Sequence, residues 1–249
     1  MDWPAALPDA GAPPVGTVHC WRILVDGIPD PLVADLHGRL PPEEQGKADR
    51  FRRSEDRRRH ILGRAGLRRL LGRALGQESS AIRLIIQPSG KPTLEGGGPE
   101  FNLSHSGNVV LIALGSGPAL GVDVEQSRPM SDFRAVAQRF FHAQEIADLR
   151  RLPEAAALDA FFRCWTRKEA VSKAVGLGLG LPLDRYRVAC LPHEPPRLLE
   201  FSGEEPPATW SIIDLGPADA HAGALAIPAN PVTVVRRSLD AEGLGADWV

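Results

Sequence analysis

The chain has 249 residues, 43% of them hydrophobic and 24% charged, with a formal net charge of -2. That length allows one large domain or two small ones of about 100–150 residues each. No apolar run reaches the roughly 18 residues of a membrane span, and the three scattered cysteines, Cys20, Cys164 and Cys190, form neither a zinc pattern nor a disulfide framework, so a reducing cytoplasm is expected.

Residues 1–16 carry no basic leader and no long apolar core, and are expected to be a loose tail rather than a signal peptide. Thr17 to Val25 is rich in β-formers and predicts a first strand. Pro29 to Leu40 and Pro42 to Arg52 predict short helices. Ser54 is the expected N-cap of a long helix reaching Leu75, with Glu55 and Asp56 in its first turn. Around this helix lies a local charge excess: from Lys47 to Arg73 roughly 11 basic side chains stand against 3 acidic ones, about +8, which points to a local anionic partner. Ile82 to Gln87 predicts a strand, Pro88 to Pro92 a turn, and Phe101 to Leu103, Val109 to Leu114 and Leu120 to Glu125 further strands. The pattern then repeats. Ser131 is expected to cap a helix to Phe141, Ala143 to Arg151 predicts another, and Pro153 opens a longer one ending near Gly176. Four β-rich runs follow, Tyr186 to Leu191, Trp210 to Leu215, Ala222 to Ile227 and Val232 to Arg236, and residues 238–249 read as a frayed tail. The expectation is an α+β chain of two similar halves, 17–118 and 119–237.

Three stretches carry chemistry. In GVDVEQ, Asp123 and Glu125 are two apart, so a strand turns both carboxylates to one face and Val122 and Val124 to the other. Paired carboxylates suit Mg²⁺, although an ordinary half-exposed strand also alternates in this way. NLSHS, Asn102 to Ser106, offers hydroxyls and an imidazole to phosphate oxygens, or is simply a polar turn. Lys91 sits in a GKP turn, where a solvated lysine is the ordinary outcome. In FFRCWTRKEAVSKAVGLGLG, Glu169 and Lys173 are four apart on one helical face with Trp165. They form an exposed ion pair, or they face a metal and a phosphate in a cleft, because charges on so apolar a helix need partners. Gly176, Gly178 and Gly180 can end this helix and let the backbone pass close to a neighbour.

Taken in register, NLSHS, GVDVE and WTRKEAVSKAVGLGL resemble the motifs of the Sfp-type 4'-phosphopantetheinyl transferases, and the likeness extends over about Thr17 to Ile227, including the GKP turn, RFF followed by Glu145, and PLD at Pro182 to Asp184. The resemblance implies a pseudo-twofold pair of α+β halves with coenzyme A in the cleft between them. It implies transfer of the 4'-phosphopantetheine arm of coenzyme A to a serine of an acyl or peptidyl carrier protein, leaving adenosine 3',5'-bisphosphate. Asp123, Glu125 and Glu169 match the Mg²⁺ and catalytic acidic positions, and Lys91, Ser104, His105 and Lys173 match contacts to the coenzyme A phosphates. Lys47, Arg59 and His60 match the adenosine 3'-phosphate region, where Glu44 replaces a further lysine of some members and His60 a threonine. In this reading Glu169 accepts the serine proton, directly or through water, and Lys173 neutralises or protonates the leaving phosphate. Arg167, Lys168 and the arginines of the first long helix are candidates for a basic rim that meets an acidic carrier protein.

The alternative is another Mg²⁺-dependent phosphotransferase or phosphohydrolase acting on nucleotides through the same acidic cluster. A nucleic-acid binder is disfavoured, because the basic segment holds Phe51 as its one aromatic. A monomer without membrane attachment is expected.

Overall fold

The structure, a computed structural model, describes residues 2–6, 11–176, 180–201 and 210–246. Strand β1 (Thr17–Leu24) leads to helices α1 (Asp30–Arg39), α2 (Pro42–Asp49) and α3 (Ser54–Leu75). A hairpin of β2 (Leu84–Ile86) and β3 (Pro92–Leu94) precedes β4 (Glu100–Ser106), β5 (Val109–Gly115) and β6 (Gly121–Gln126). Helices α4 (Phe133–Phe140), α5 (Ala143–Arg150) and α6 (Glu154–Val175) follow, then β7 (Tyr186–Val188), β8 (Leu198–Phe201), β9 (Ser211–Asp214), β10 (His221–Ile227), β11 (Thr233–Ser238) and α7 (Ala241–Gly245). The chain is α+β.

Two sheets organise the molecule. The first has the order β11-β1-β5-β4 and the second β6-β10-β9. β5 is apolar and buried along its whole length, because both its faces are covered. Val110, Ile112 and Leu114 join Ile61, Leu62 and Leu71 of α3 in one core. Val109, Leu111 and Ala113 join Val122, Val124 and Leu225 of the second sheet in another. On the far side of the second sheet, Ala224 and Ala226 pack against Phe161, Ala170 and Ala174 of α6. The layers therefore run helix, sheet, sheet, helix, and each outer layer holds one 22-residue helix.

Several local expectations change. Ser54 is the first residue of α3 rather than its cap, since Arg53 takes the N-cap position, and Asp132 rather than Ser131 precedes α4, neither with a side-chain cap bond. NLSHS is not a turn: all five residues lie in β4, with the turn at Gly107 and Asn108. β8 forms where no strand was expected. β11, expected with the second half, instead pairs in parallel with β1 from Thr17↔Thr233 to Arg22↔Ser238. Neither flanking segment is loose throughout, because apolar side chains there find cores: Trp3 is buried and donates from Nε1 to the Gly216 carbonyl at 3.2 Å, and Leu239 and Leu244 are fully buried. Gly176 ends α6 in the left-handed conformation at φ 79°, while Gly178 lies outside the described residues.

Candidate active site

α6 lies directly on the start of β6. A Cβ at Gly121 would stand 2.0 Å from the Ala170 carbonyl oxygen and 2.5 Å from the Ala174 nitrogen, so only glycine admits this crossing. The close approach carries Lys173 over the strand. Its Nζ donates to Asp123 Oδ1 at 2.6 Å, Ser104 Oγ at 3.1 Å and the Val122 carbonyl at 3.2 Å. The polar face of β6 therefore turns to α6 while Val122 and Val124 stay in the core between the sheets, as the alternation predicts.

The other wall is β4. Both β4 and β6 are edges of their sheets, and an open edge needs its backbone groups satisfied. Side chains do this. Asn102 Oδ1 accepts from the Val122 N–H at 2.9 Å, Ser104 Oγ from Val124 at 3.4 Å and Ser106 Oγ from Gln126 at 3.1 Å. The same hydroxyls donate onward, Ser104 to Asp123 Oδ1 at 2.7 Å and Ser106 to Glu125 Oε2 at 2.8 Å. This is why a polar run sits in a strand: its side chains take the part of a partner's carbonyls. Within NLSHS, Asn102 and Ser106 had no role of their own in the sequence analysis, although their spacing of two from Ser104 is the signal that finds one.

The electrostatics follow from crowding. Asp123 is 4% exposed, and its Oδ2 is buried without a hydrogen-bond partner. Burial raises the pKa of Glu125 and of Glu169, the Asp123 charge raises both further, and Lys173 opposes it in each. Lys91 is no solvated turn lysine. Its Nζ reaches the carbonyls of Leu120 (3.2 Å) and Lys173 (3.1 Å) at the end of α6, and burial lowers its pKa. His105 is an exposed residue of β4 with atoms packed near its ring; that crowding, then the Arg59 charge, lowers its pKa, with Lys173 adding to the effect. Among the described residues, no three His, Cys, Asp or Glu side chains converge as they stand into a metal cage. Beside the cluster opens a cavity of about 670 Å³ walled by Phe140, Trp165, Leu181 and Leu183, with Glu169 and Lys173 in its lining.

The adenosine-side candidates form a second group on α2 and α3. His60 is 7% exposed, lies 5.4 Å from the Phe51 ring centre and has an unpartnered Nε2. Burial, then the charges of Lys47 and Arg64, push its pKa down to about 4. Arg59 points elsewhere, donating to the Gly107 carbonyl at 2.8 Å and pairing with Asp56. Glu44 is buried between Arg64 and Arg68 and so joins α2 to α3.

Residues 119–226 match the family described as the 4'-phosphopantetheinyl transferase superfamily, and residues 33–116 match a 4'-phosphopantetheinyl transferase N-terminal family. The 4'-phosphopantetheinyl transferase HetI of a Nostoc species is 39% identical over 214 residues, 84% of this chain and 87% of that protein. The chain belongs to the 4'-phosphopantetheinyl transferase superfamily. Two Bacillus subtilis transferases are also similar: ffp at 32% identity over 80% of this chain and 88% of its own length, and Sfp at 37% over 60% and 66%.

In this transferase the charges at the middle of α6 divide by face. Arg167 and Lys168 cannot form the basic rim expected of them, because they are 1% and 0% exposed. Arg167 is bidentate to Asp214 at 2.6 and 2.9 Å, and Lys168 bonds Glu145 at 2.8 Å and the Tyr186 carbonyl at 2.5 Å. On α3, Arg68 and Arg69 are likewise buried. The cost of burying a charge is met by a distant partner in each of these pairs.

Proposed function

We propose that this 4'-phosphopantetheinyl transferase moves the phosphopantetheine arm of coenzyme A to a carrier-protein serine at the cluster of Asp123, Glu125, Glu169, Lys173, Ser104 and Lys91. One observation carries the reading. Lys173 Nζ, Ser104 Oγ and Asp123 Oδ1, from a helix and two separate sheets, lie within 2.6–3.1 Å of one another beside a cavity of about 670 Å³ with Phe140, Trp165, Leu181 and Leu183 in its wall.

Asp123, Glu125 and Glu169 would hold Mg²⁺: the unpartnered Asp123 Oδ2 and the excess of carboxylates over lysine fit a hard dication. Bound there, Mg²⁺ would screen the diphosphate and polarise the attacked phosphorus. Glu169, its pKa raised by burial and by Asp123, accepts the proton of the serine hydroxyl. The serine oxygen forms its bond to the phosphorus bearing the arm as the bond from that phosphorus to the bridging oxygen breaks. Lys173 meets the negative charge that appears on the leaving phosphate and can supply its proton. Lys91 and His105 donate to the diphosphate oxygens, while Ser104, whose one proton goes to Asp123 Oδ1, holds that carboxylate and Lys173 beside them. Lys47 and His60 bind the adenosine 3'-phosphate, Arg59 would join them only by leaving the Gly107 carbonyl and Asp56, and the Phe140–Trp165 cavity receives the arm. The cluster is assembled within one chain, which supports action as a monomer. The free, buried cysteines Cys20, Cys164 and Cys190 suit a reducing cytoplasm, and among the described residues no helix is long and apolar enough to cross a membrane.

Incubation with coenzyme A, Mg²⁺ and a panel of apo acyl and peptidyl carrier proteins tests the reading. Intact mass spectrometry should report one added arm per carrier. Nucleotide breakdown with every carrier left unmodified would replace transfer by phosphohydrolysis.

A further inference from the structure

We propose that Ser106 is a positioning residue that presets Glu125 for a divalent cation, an inference that rests on the metal reading above. Ser106 has no part in that reading. Its Oγ sits between two neighbours on β6, accepting from the Gln126 N–H at 3.1 Å and standing 2.8 Å from Glu125 Oε2. A backbone N–H can only donate, so it takes an acceptor site on the hydroxyl and leaves the hydroxyl proton for the carboxylate. The direction of both bonds is thereby fixed. Glu125 Oε2 is tied to a group that is itself tied to the backbone one residue further along the same strand. A glutamate side chain, free to rotate about three bonds, is held by a closed ring of its own strand neighbour and one serine.

The same device stands one step earlier. Ser104 Oγ accepts from the Val124 N–H at 3.4 Å and donates to Asp123 Oδ1 at 2.7 Å. In both cases a β4 hydroxyl holds one oxygen of a β6 carboxylate and leaves the other for a different partner. For Asp123 that other oxygen, Oδ2, is buried and unpartnered. The repeat follows from matched periods: β4 and β6 both alternate by two, so hydroxyls at 104 and 106 meet carboxylates at 123 and 125. Ser104 also touches Lys173, whereas the two hydrogen bonds of Ser106 described above go to β6. Ser106 is thus the cleaner site at which to separate orientation of a carboxylate from phosphate contact.

Groups that orient a metal ligand typically contribute 10–100-fold to metal affinity. The test uses the full chain, Mn²⁺ as a paramagnetic probe, and the variants Ser106→Ala and Ser106→Thr. Free Mn²⁺ measured by electron paramagnetic resonance, with coenzyme A present, gives the affinity directly. Ser106→Ala should bind Mn²⁺ about 10–100-fold more weakly, and Ser106→Thr, which keeps the hydroxyl on a strand-compatible side chain, should return to near the parent value. The Mg²⁺ concentration for half-maximal transfer should rise by the same factor in Ser106→Ala, with kcat at saturating Mg²⁺ close to the parent. Parent-like Mn²⁺ affinity in Ser106→Ala, or a loss that Ser106→Thr does not restore, overturns the positioning role while the metal reading stands. A parent protein that binds no Mn²⁺ overturns both.

Discussion

Lys168→Met removes a charge that lies one residue from Glu169 yet on the opposite side of the helix's work. Lys168 and Glu145 are both fully buried, 2.8 Å apart, with Lys168 also donating to the Tyr186 carbonyl. Breaking a buried pair from one side costs about 3–5 kcal/mol, because the remaining charge is left uncompensated. Glu145 retains two backbone donors, the Val188 N–H at 2.8 Å and the His142 N–H at 3.0 Å, so the loss belongs at the lower end, about 3 kcal/mol. At roughly 2–4 °C per kcal/mol for a chain of this size, the melting temperature should fall by about 6–12 °C. Urea unfolding followed by tryptophan fluorescence measures the same loss independently. Adding Glu145→Gln to Lys168→Met removes the stranded carboxylate, so the double variant should be no less stable than Lys168→Met alone. A Lys168→Met protein within 1 kcal/mol of the parent, or a double variant whose loss is the sum of the two single losses, refutes the argument that the pair is coupled.

Glu169→Gln keeps size but cannot accept a proton, so kcat at saturating coenzyme A and Mg²⁺ should drop about 10²–10⁴-fold with coenzyme A still bound by calorimetry; transfer at the parent rate excludes the base role. Dephospho-coenzyme A should bind about 10–100-fold more weakly than coenzyme A, as expected for loss of a charged hydrogen-bonded group, and the gap should narrow in Lys47→Ala and in His60→Ala; equal affinities in the parent remove the proposed 3'-phosphate pocket. For His60 the folded pKa of about 4 lies below the ordinary 6.5, so between those values the unfolded chain binds more protons. The ligand-free protein should therefore lose stability as pH falls from about 6.5 to about 4, with this contribution flat above that window. Stability measured across the window should show a shallower slope in His60→Gln, and an unchanged slope would assign the loss to other groups.

The geometry of the candidate cluster was legible because its residues lie within short motifs whose local period decides their direction. Asp123 and Glu125 share a strand face, Glu169 and Lys173 share a helix face, and both follow from spacing alone. What spacing does not supply is the partner. Arg167 and Lys168 read as surface charges until Asp214 and Glu145, 47 and 23 residues away, are seen to bury with them. NLSHS can be read as a phosphate-binding run or as a polar turn, because its polar side chains satisfy a neighbouring strand rather than solvent and no window along one strand reveals what lies beside it. β11 is apolar enough to be recognised as a strand, but its partner β1 lies more than 200 residues earlier. The concentration of charge in the basic segment is plain in the sequence, but which of its arginines can form a rim is not, since Arg68 faces inward to Glu44.

The parallel pairing of β11 with β1 also sets the order in which the molecule can be finished during synthesis. Domains generally fold from the N-terminus as the chain emerges, at about 5–20 residues per second. Here the first sheet stays one strand short until Ser238 has left the ribosome, and until then Thr17–Arg22 offers an unpaired strand edge on its β11 side. For about 6–25 s after residue 115 is made, the nascent chain carries an open template for pairing with other strands. Truncations that stop before Thr233 would make that exposure permanent, so they should appear as aggregates rather than as a smaller folded unit.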